Sequence, residues 1–208
     1  MRCCASRWSA RRPRPWRRRD RGGRGDRVRV VAGRFGGRRL AAPPGRGTRP
    51  TSDRVREALF SILGPLDGER VLDLYAGSGA LAIEALSRGA GRALLVERDP
   101  RAVAAIRANL EALGLAEPEA AVHAGPARSA LRNASQRGDT YDLVFLDPPY
   151  RSAPELGREL SAALGPLLSG SGRVVTESDR RAPLELAIPL THERRYGDTL
   201  IRIHTHDP

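Results

Sequence analysis

The stretch VLDLYAGSGALAIEALSRGA, residues 71–90, decides how the rest of this chain is read. It begins as an apolar run broken only by Asp73, the pattern of a strand covered on both faces. Gly77, Gly79 and Ala82 then match G-x-G-x-x-[GA], and the apolar spacing beyond them suits a helix that Gly89 ends. Glu97 lies at the end of the next apolar run, RALLVE, where an acid can accept hydrogen bonds from ribose hydroxyls. Glycines allow a ligand to come close to the backbone, so this stretch predicts a site for an adenosine-type cofactor. The bland alternative is a tight packing turn.

Electrostatics select among such cofactors. A nicotinamide dinucleotide sets its pyrophosphate at the helix N-terminus, where a neighbouring acid would repel it. Asp73 stands four residues before Gly77 and suits a cationic ligand instead. S-adenosyl-L-methionine carries both an ammonium and a sulfonium, so the pattern favours it over NAD. Asp73 could otherwise serve neighbouring backbone amides.

Working outward, the chain alternates apolar runs with helical patterns. RVLDLYAG, RALLVE, a weaker run over residues 119–123, YDLVFLD, GRVVTES and TLIRIHT read as strands. Helices are expected after Gly79, from Pro100, over residues 127–136, and over residues 155–168 with an interruption at Gly165-Pro166. This order predicts an α/β fold: a mostly parallel sheet with helices on both faces. Ligands in such sheets bind beyond the carboxyl ends of the strands, here in the loops after Leu74, Val96, His123 and Leu146.

One of those loops carries the second decisive stretch, FLDPPY, residues 145–150. Asp147 ends a buried strand, where it can accept a hydrogen bond from an exocyclic amine. Pro148 and Pro149 donate nothing and stiffen the chain, so backbone carbonyls can point at the same amine. Tyr150 offers a flat face for a base drawn out of its stack. The combination predicts a socket for a planar amine whose lone pair is delocalised into a ring. Two acceptors that hold such a nitrogen pyramidal, aimed at a sulfonium methyl, restore its reactivity by positioning. A plain Pro-Pro turn is the alternative.

The front of the chain is built differently. Of the formal charge of +12, residues 1–29 contribute +10 through twelve arginines against Asp20 and Asp26. Residues 30–60 contribute +5, leaving −3 for residues 61–208. This gradient predicts a polyanion approached from the N-terminal side. Residues 1–27 read as a disordered Arg-rich extension, with an RNA-binding arm as the functional option. Residues 28–32 and 38–41 read as a β-hairpin, followed by a Pro/Gly loop and a helix starting near residues 51–53. Arg34, Arg38, Arg39, Arg46, Arg49, Thr51 and Arg54 are therefore the expected RNA contacts, with a solvated rim as the alternative. Cys3 and Cys4 are adjacent and the four histidines scattered, so no metal site is expected. No apolar run approaches the ~18 residues of a membrane span and no secretory leader is visible, so a cytoplasmic location without membrane contact is expected.

With RPTSDRVREALF, VLDLYAGSGALAIEALSRGA and DLVFLDPPY in that order, the chain from Val28 onward resembles the RsmD-type 16S ribosomal RNA guanine-N2 methyltransferases. The resemblance implies a Rossmann-like class I methyltransferase fold with a mostly parallel seven-stranded sheet and a small N-terminal hairpin. It divides the chain into an RNA-facing front, residues 28–66, and a core, residues 67–208. It implies that Asp73, Tyr75, Ala76, Gly77, Ser78, Gly79, Glu97, Arg98 and Ala127 surround S-adenosyl-L-methionine, and that Asp147, Pro148, Pro149 and Tyr150 hold the target guanine. Ala127 stands in through its backbone for a polar residue often found near the adenine. The implied partner is ribosomal RNA within a small-subunit assembly particle, met by a monomer. The rival readings are an amino-methyltransferase of DNA adenine or cytosine, and a ribosome-assembly factor that keeps the fold without turnover.

Overall fold

A computed structural model describes residues 28–43, 52–148 and 154–206. Seven strands form one sheet in the order β3-β2-β1-β4-β5-β7-β6. They are β1 (Arg70–Asp73), β2 (Arg92–Glu97), β3 (Ala120–Ala124), β4 (Tyr141–Leu146), β5 (Leu168–Asp179), β6 (Leu190–Tyr196) and β7 (Thr199–Thr205). The first five run parallel, and β7 turns back antiparallel between β5 and β6. The expected α/β fold is present, with the strand order reversing between β1 and β4.

Side chains alternate across this sheet, and each face has its own core. Val71, Leu143, Phe145, Val175 and Ile203 pack beneath α1 (Asp53–Leu63), α2 (Ala80–Ser87) and α3 (Pro100–Leu113). Leu72, Leu74, Val144, Leu146 and Val174 pack beneath α4 (Ala127–Arg137) and α5 (Pro154–Leu164). The front segment shares the first core through Val28, Val30 and Leu40. Phe60 of α1 meets Phe145 of β4 with ring centroids 5.9 Å apart.

Helix ends follow local chemistry. Ser52 caps α1 by accepting a hydrogen bond from Val55 N, and Asp99 caps α3 with Pro100 in its first turn.

Three expectations change. The front hairpin forms a single isolated bridge, Arg29 with Arg39, flanked by backbone hydrogen bonds from Val30 to Arg38 and from Leu40 to Val28. Its strands are shortened because side chains of the core helices take over its other amides. The helix expected over residues 155–168 is interrupted at Gly165-Pro166 as expected but does not resume: it ends at Leu164, and Gly165–Leu167 forms a 3-10 turn before β5. The seventh strand, β6, lies at residues the sequence left unassigned: LTHERRY is an edge strand, mostly exposed and charged, without an apolar period. Residues 1–27 and residues 44–51, expected to include a Pro/Gly loop, lie outside the described residues. No helix among the described residues is long and apolar enough to cross a membrane.

Candidate active site

The carboxyl ends of β1, β2 and β4 bring the two decisive stretches together. Asp73 ends β1 and pairs in register with Phe145, two residues before Asp147. Leu146 pairs with Thr176, so Asp147 and Glu177 sit one step further along neighbouring strands. The two-residue period puts Asp73, Asp147 and Glu177 on the α1 side of the sheet. The sequence singled out the first two; Glu177, inside GRVVTES, gave no signal beyond its charge.

Asp73 is 2% exposed. Burial raises its carboxyl from 3.8 to about 7, outweighing hydrogen bonds from the Ala82 and Tyr75 amides, and the Glu97 charge pushes the same way. The backbone role considered for Asp73 is therefore real, and it does not compensate the buried charge. A cation in the crevice would reverse the balance. That deficit is the physical fit to a cationic cofactor.

Glu97 ends β2 and organises the turns around it. One carboxylate oxygen accepts the Gly77 amide at 3.0 Å; the other accepts the amides of Arg98 at 2.7 Å and Asp99 at 2.9 Å. The turn itself bends through Gly77 at φ 55° and Gly79 at φ 79°. A Cβ on Gly79 would lie 2.9 Å from Leu95 Cδ2, so glycine is needed both for its conformation and for the close approach to β2. Ala76 is buried; Tyr75 and Ser78 are partly exposed in the same turn, and Arg98 is exposed beside Glu97. Burial raises the Tyr75 hydroxyl above its ordinary value, helped by the nearby Glu159 charge. Ala127 opens α4, and the preceding Gly125 amide bonds to the Glu97 carbonyl at 2.9 Å, which keeps the β3 loop against the β2 loop.

Asp147 is partly exposed and Pro148 buried. Burial, then the charges of Glu177 and Asp73, hold the Asp147 carboxyl well above the ordinary carboxylate range. Pro149 and Tyr150 lie outside the described residues, as do Arg46, Arg49 and Thr51.

The remaining predicted RNA contacts separate. Arg34 pairs with Glu119, just before β3, and Arg38 donates to the Ala112 carbonyl at 2.9 Å in the last turn of α3. Both partners belong to the end of the sheet opposite the crevice. Arg39 and Arg54 are exposed. Arg39 lies opposite Arg29, whose side chain pairs with Asp53 at 2.7 Å at the start of α1. Arg56 is fully buried, donating to the Arg29 carbonyl at 2.7 Å and to Asp53 at 2.5 Å. No group of side chains among the described residues could hold a metal ion.

Several buried polar side chains escaped sequence reasoning. Glu84 accepts the amides of Val31 at 2.6 Å and Ala32 at 3.0 Å. Ser87 Oγ accepts the Phe35 amide at 3.0 Å and donates to the Ala32 carbonyl at 2.5 Å. Asn109 joins Ala41 to Ser78. The available signal was a polar residue on the apolar face of a helix, most visible for Glu84 within ALAIEALS.

The family model described as "Conserved hypothetical protein 95" matches residues 28–205. "Putative rRNA methyltransferase YlbH" of Bacillus subtilis is 39% identical over 186 residues, covering 85% of this chain and 98% of that protein. "Ribosomal RNA small subunit methyltransferase D" of Escherichia coli is 42% identical over 129 residues, covering 60% of this chain and 61% of that protein. Among solved structures, "Putative methyltransferase yhhF from Escherichia coli" superposes with a TM-score of 0.73 at 34% identity, covering 87% of this chain and 98% of that one. With the motif-bearing turns gathered at one end of the same sheet, this chain belongs to that family, the RsmD-type methyltransferases of class I.

Proposed function

We propose that this protein transfers a methyl group from S-adenosyl-L-methionine to the exocyclic N2 amine of a guanine in small-subunit ribosomal RNA. The observation that carries the reading is the placement of Asp147 beside Asp73: an amine acceptor and a buried cation acceptor on adjacent strands, at the same end and on the same face. The relatives named for ribosomal RNA methylation supply the substrate class.

S-adenosyl-L-methionine, when bound, supplies a methyl on a cationic sulfur. Asp73 offers that charge a buried carboxylate, Glu97 holds the Gly77 turn and the ribose end, and the Gly77–Gly79 backbone lets the ligand approach closely. Asp147 accepts an N–H from the guanine amine and so turns its nitrogen lone pair toward the methyl. Transfer of that methyl to the amine would leave the sulfur as a neutral thioether, and Asp147 would take up the proton that the amine then loses. A carboxyl held above its usual range is suited to that acceptance. Pro148, Pro149 and Tyr150 complete the socket, with the ring stacked on the base.

The RNA enters over the crevice, met by Arg39, Arg54 and the loop bearing Arg46, Arg49 and Thr51. Residues 28–66 thus form the RNA-facing front and residues 67–208 the catalytic core. A domain of this size offers little reading surface, so the substrate is an assembled particle rather than naked RNA, bound by a monomer in the cytoplasm.

The deciding experiment incubates the protein and labelled S-adenosyl-L-methionine with nucleic acids and subunit particles from cells lacking the gene. Label in small-subunit RNA as N2-methylguanine, abolished by Asp147→Ala, is the expected result; label only in DNA overturns the reading.

A further inference from the structure

Asn109 stands on α3, is 3% exposed, and spends its whole amide on two distant backbone segments. Its Oδ1 accepts the Ala41 amide at 2.7 Å, while Nδ2 donates to the Ala41 carbonyl at 3.0 Å and to the Ser78 carbonyl at 2.9 Å. The orientation is forced: the reversed amide would set its NH2 against an N–H and its oxygen against two carbonyls. Ser78 lies between the two positive-φ glycines of the cofactor turn. Ala41 belongs to the front segment, shortly before Arg46, Arg49 and Thr51 in sequence.

Holding the Ser78 carbonyl toward α3 fixes the plane of the Ser78–Gly79 peptide. It also stabilises the turn in which the Gly79 amide closes onto the Ala76 carbonyl at 2.6 Å. Breaking either side of the tie would leave part of the buried Asn109 amide without a partner, which is costly. Displacement of Ala41 is therefore felt at Ser78, and ordering of Ser78 is felt at Ala41. Glu84 and Ser87 also hold the front segment, but on α2, through Val31, Ala32 and Phe35. Among these three side chains, only Asn109 reaches the cofactor turn directly.

We infer that Asn109 is a positioning residue that links the two ligands: ordering of the cofactor turn orders the RNA-facing front segment at Ala41, and each ligand binds more tightly when the other is present. Asn109 touches neither ligand and acts through Ala41 and Ser78. The linkage is reciprocal by thermodynamic necessity. It rests on RNA approaching the front segment to which Ala41 belongs, as proposed above.

The test measures the dissociation constant of S-adenosylhomocysteine with and without small-subunit particles from cells lacking the gene. The wild-type protein should bind it roughly five-fold or more tightly in their presence, the lower end of ordinary coupling. Asn109→Ala should bring that ratio close to one. Ser87→Ala weakens the same segment without touching Ser78, and should keep the wild-type ratio. Hydrogen exchange on the wild-type protein gives a readout independent of any variant's folding: S-adenosylhomocysteine alone should slow exchange of the Ala41 amide. An unchanged ratio in Asn109→Ala, an equal loss in Ser87→Ala, a wild-type ratio of one, or no protection at Ala41 each overturns the linkage. Methyl transfer to the particles is scored separately, so transfer with an unchanged ratio sinks the linkage alone, whereas absent transfer counts against the function.

Discussion

Glu97 accepts the Gly77 amide at 3.0 Å, a bond across twenty residues that fastens the turn after β1 to the end of β2. The other oxygen of the same carboxylate holds the amides of Arg98 and Asp99. One side chain thus sets the shape of the glycine turn, and in the proposed function it also serves the ribose. Glu97→Gln keeps its size but loses acceptor capacity and charge. It should weaken S-adenosylhomocysteine binding roughly ten-fold or more, the scale of a lost charge-assisted hydrogen bond, as read by calorimetry.

Asp73 gives cofactor binding a pH dependence of known sign. Its folded value of about 7 stands above its ordinary 3.8, so between those limits the folded chain keeps a proton that the unfolded chain has released. Stability from this group is present at low pH and declines as pH rises across that window. A cationic ligand needs the carboxylate, so binding below about pH 7 must expel the proton, and affinity should fall by up to about ten-fold per pH unit. Asp73→Asn should remove this slope, while Asp147→Asn should keep it. A slope that survives Asp73→Asn would show that another group is responsible.

Asp147 separates chemistry from cofactor binding. Asp147→Asn keeps the shape but loses the proton acceptor, and should lower kcat about 10²-fold, the scale of a positioned acid or base. S-adenosylhomocysteine affinity should stay within about two-fold of wild type, since cofactor contacts fall to β1 and β2. Single-turnover kinetics and calorimetry on the same samples check both halves.

A side chain at Gly79 meets backbone strain first and a packed side-chain neighbour second. Gly79→Ala places a methyl 2.9 Å from Leu95 Cδ2 on a residue with φ 79°. Strain and crowding together should cost about 2–4 kcal/mol, visible as a lowered unfolding midpoint in urea. Gly77→Ala meets nothing within 4 Å, so only its backbone conformation, at φ 55°, is penalised. It should cost about 1–2 kcal/mol and be the milder change.

The arginines of the front segment should divide by position. Arg34→Ala and Arg38→Ala remove side chains held by Glu119 and the Ala112 carbonyl, away from the crevice, and should leave RNA affinity and its salt slope nearly unchanged. Arg39→Ala combined with Arg54→Ala should weaken RNA binding and reduce the slope of log affinity against log salt by roughly one to two. Filter binding at several salt concentrations distinguishes the two pairs.

What was legible in the sequence is what short-range chemistry dictates. Alternating apolar runs required a covered parallel sheet, and the glycine spacing with Glu97 required a ligand turn at its carboxyl end. Asp147 at the close of an apolar strand required a partner for its charge. The edge strand β6 was not legible, because half its contacts face water and its residues need no apolar period. The short front hairpin was misjudged for the opposite reason: Glu84, Ser87 and Asn109 satisfy backbone groups that a longer ladder would otherwise have paired.

By itself the sequence determined the fold class and the cofactor chemistry and pointed to an amine socket, since each depends on residues within one turn or at one strand end. Only the tertiary structure decided which charges are available. Arg34, Arg38 and Arg39 look alike along the chain and all three are exposed, yet Glu119 and the Ala112 carbonyl engage the first two, whereas Arg39 lies opposite Arg29 near the start of α1. Asp73 raises the proton affinity of Asp147, 74 residues away, only because β1 and β4 are hydrogen-bonded neighbours. Burial and proximity across strands set a carboxyl's proton affinity, and neither is written in local sequence.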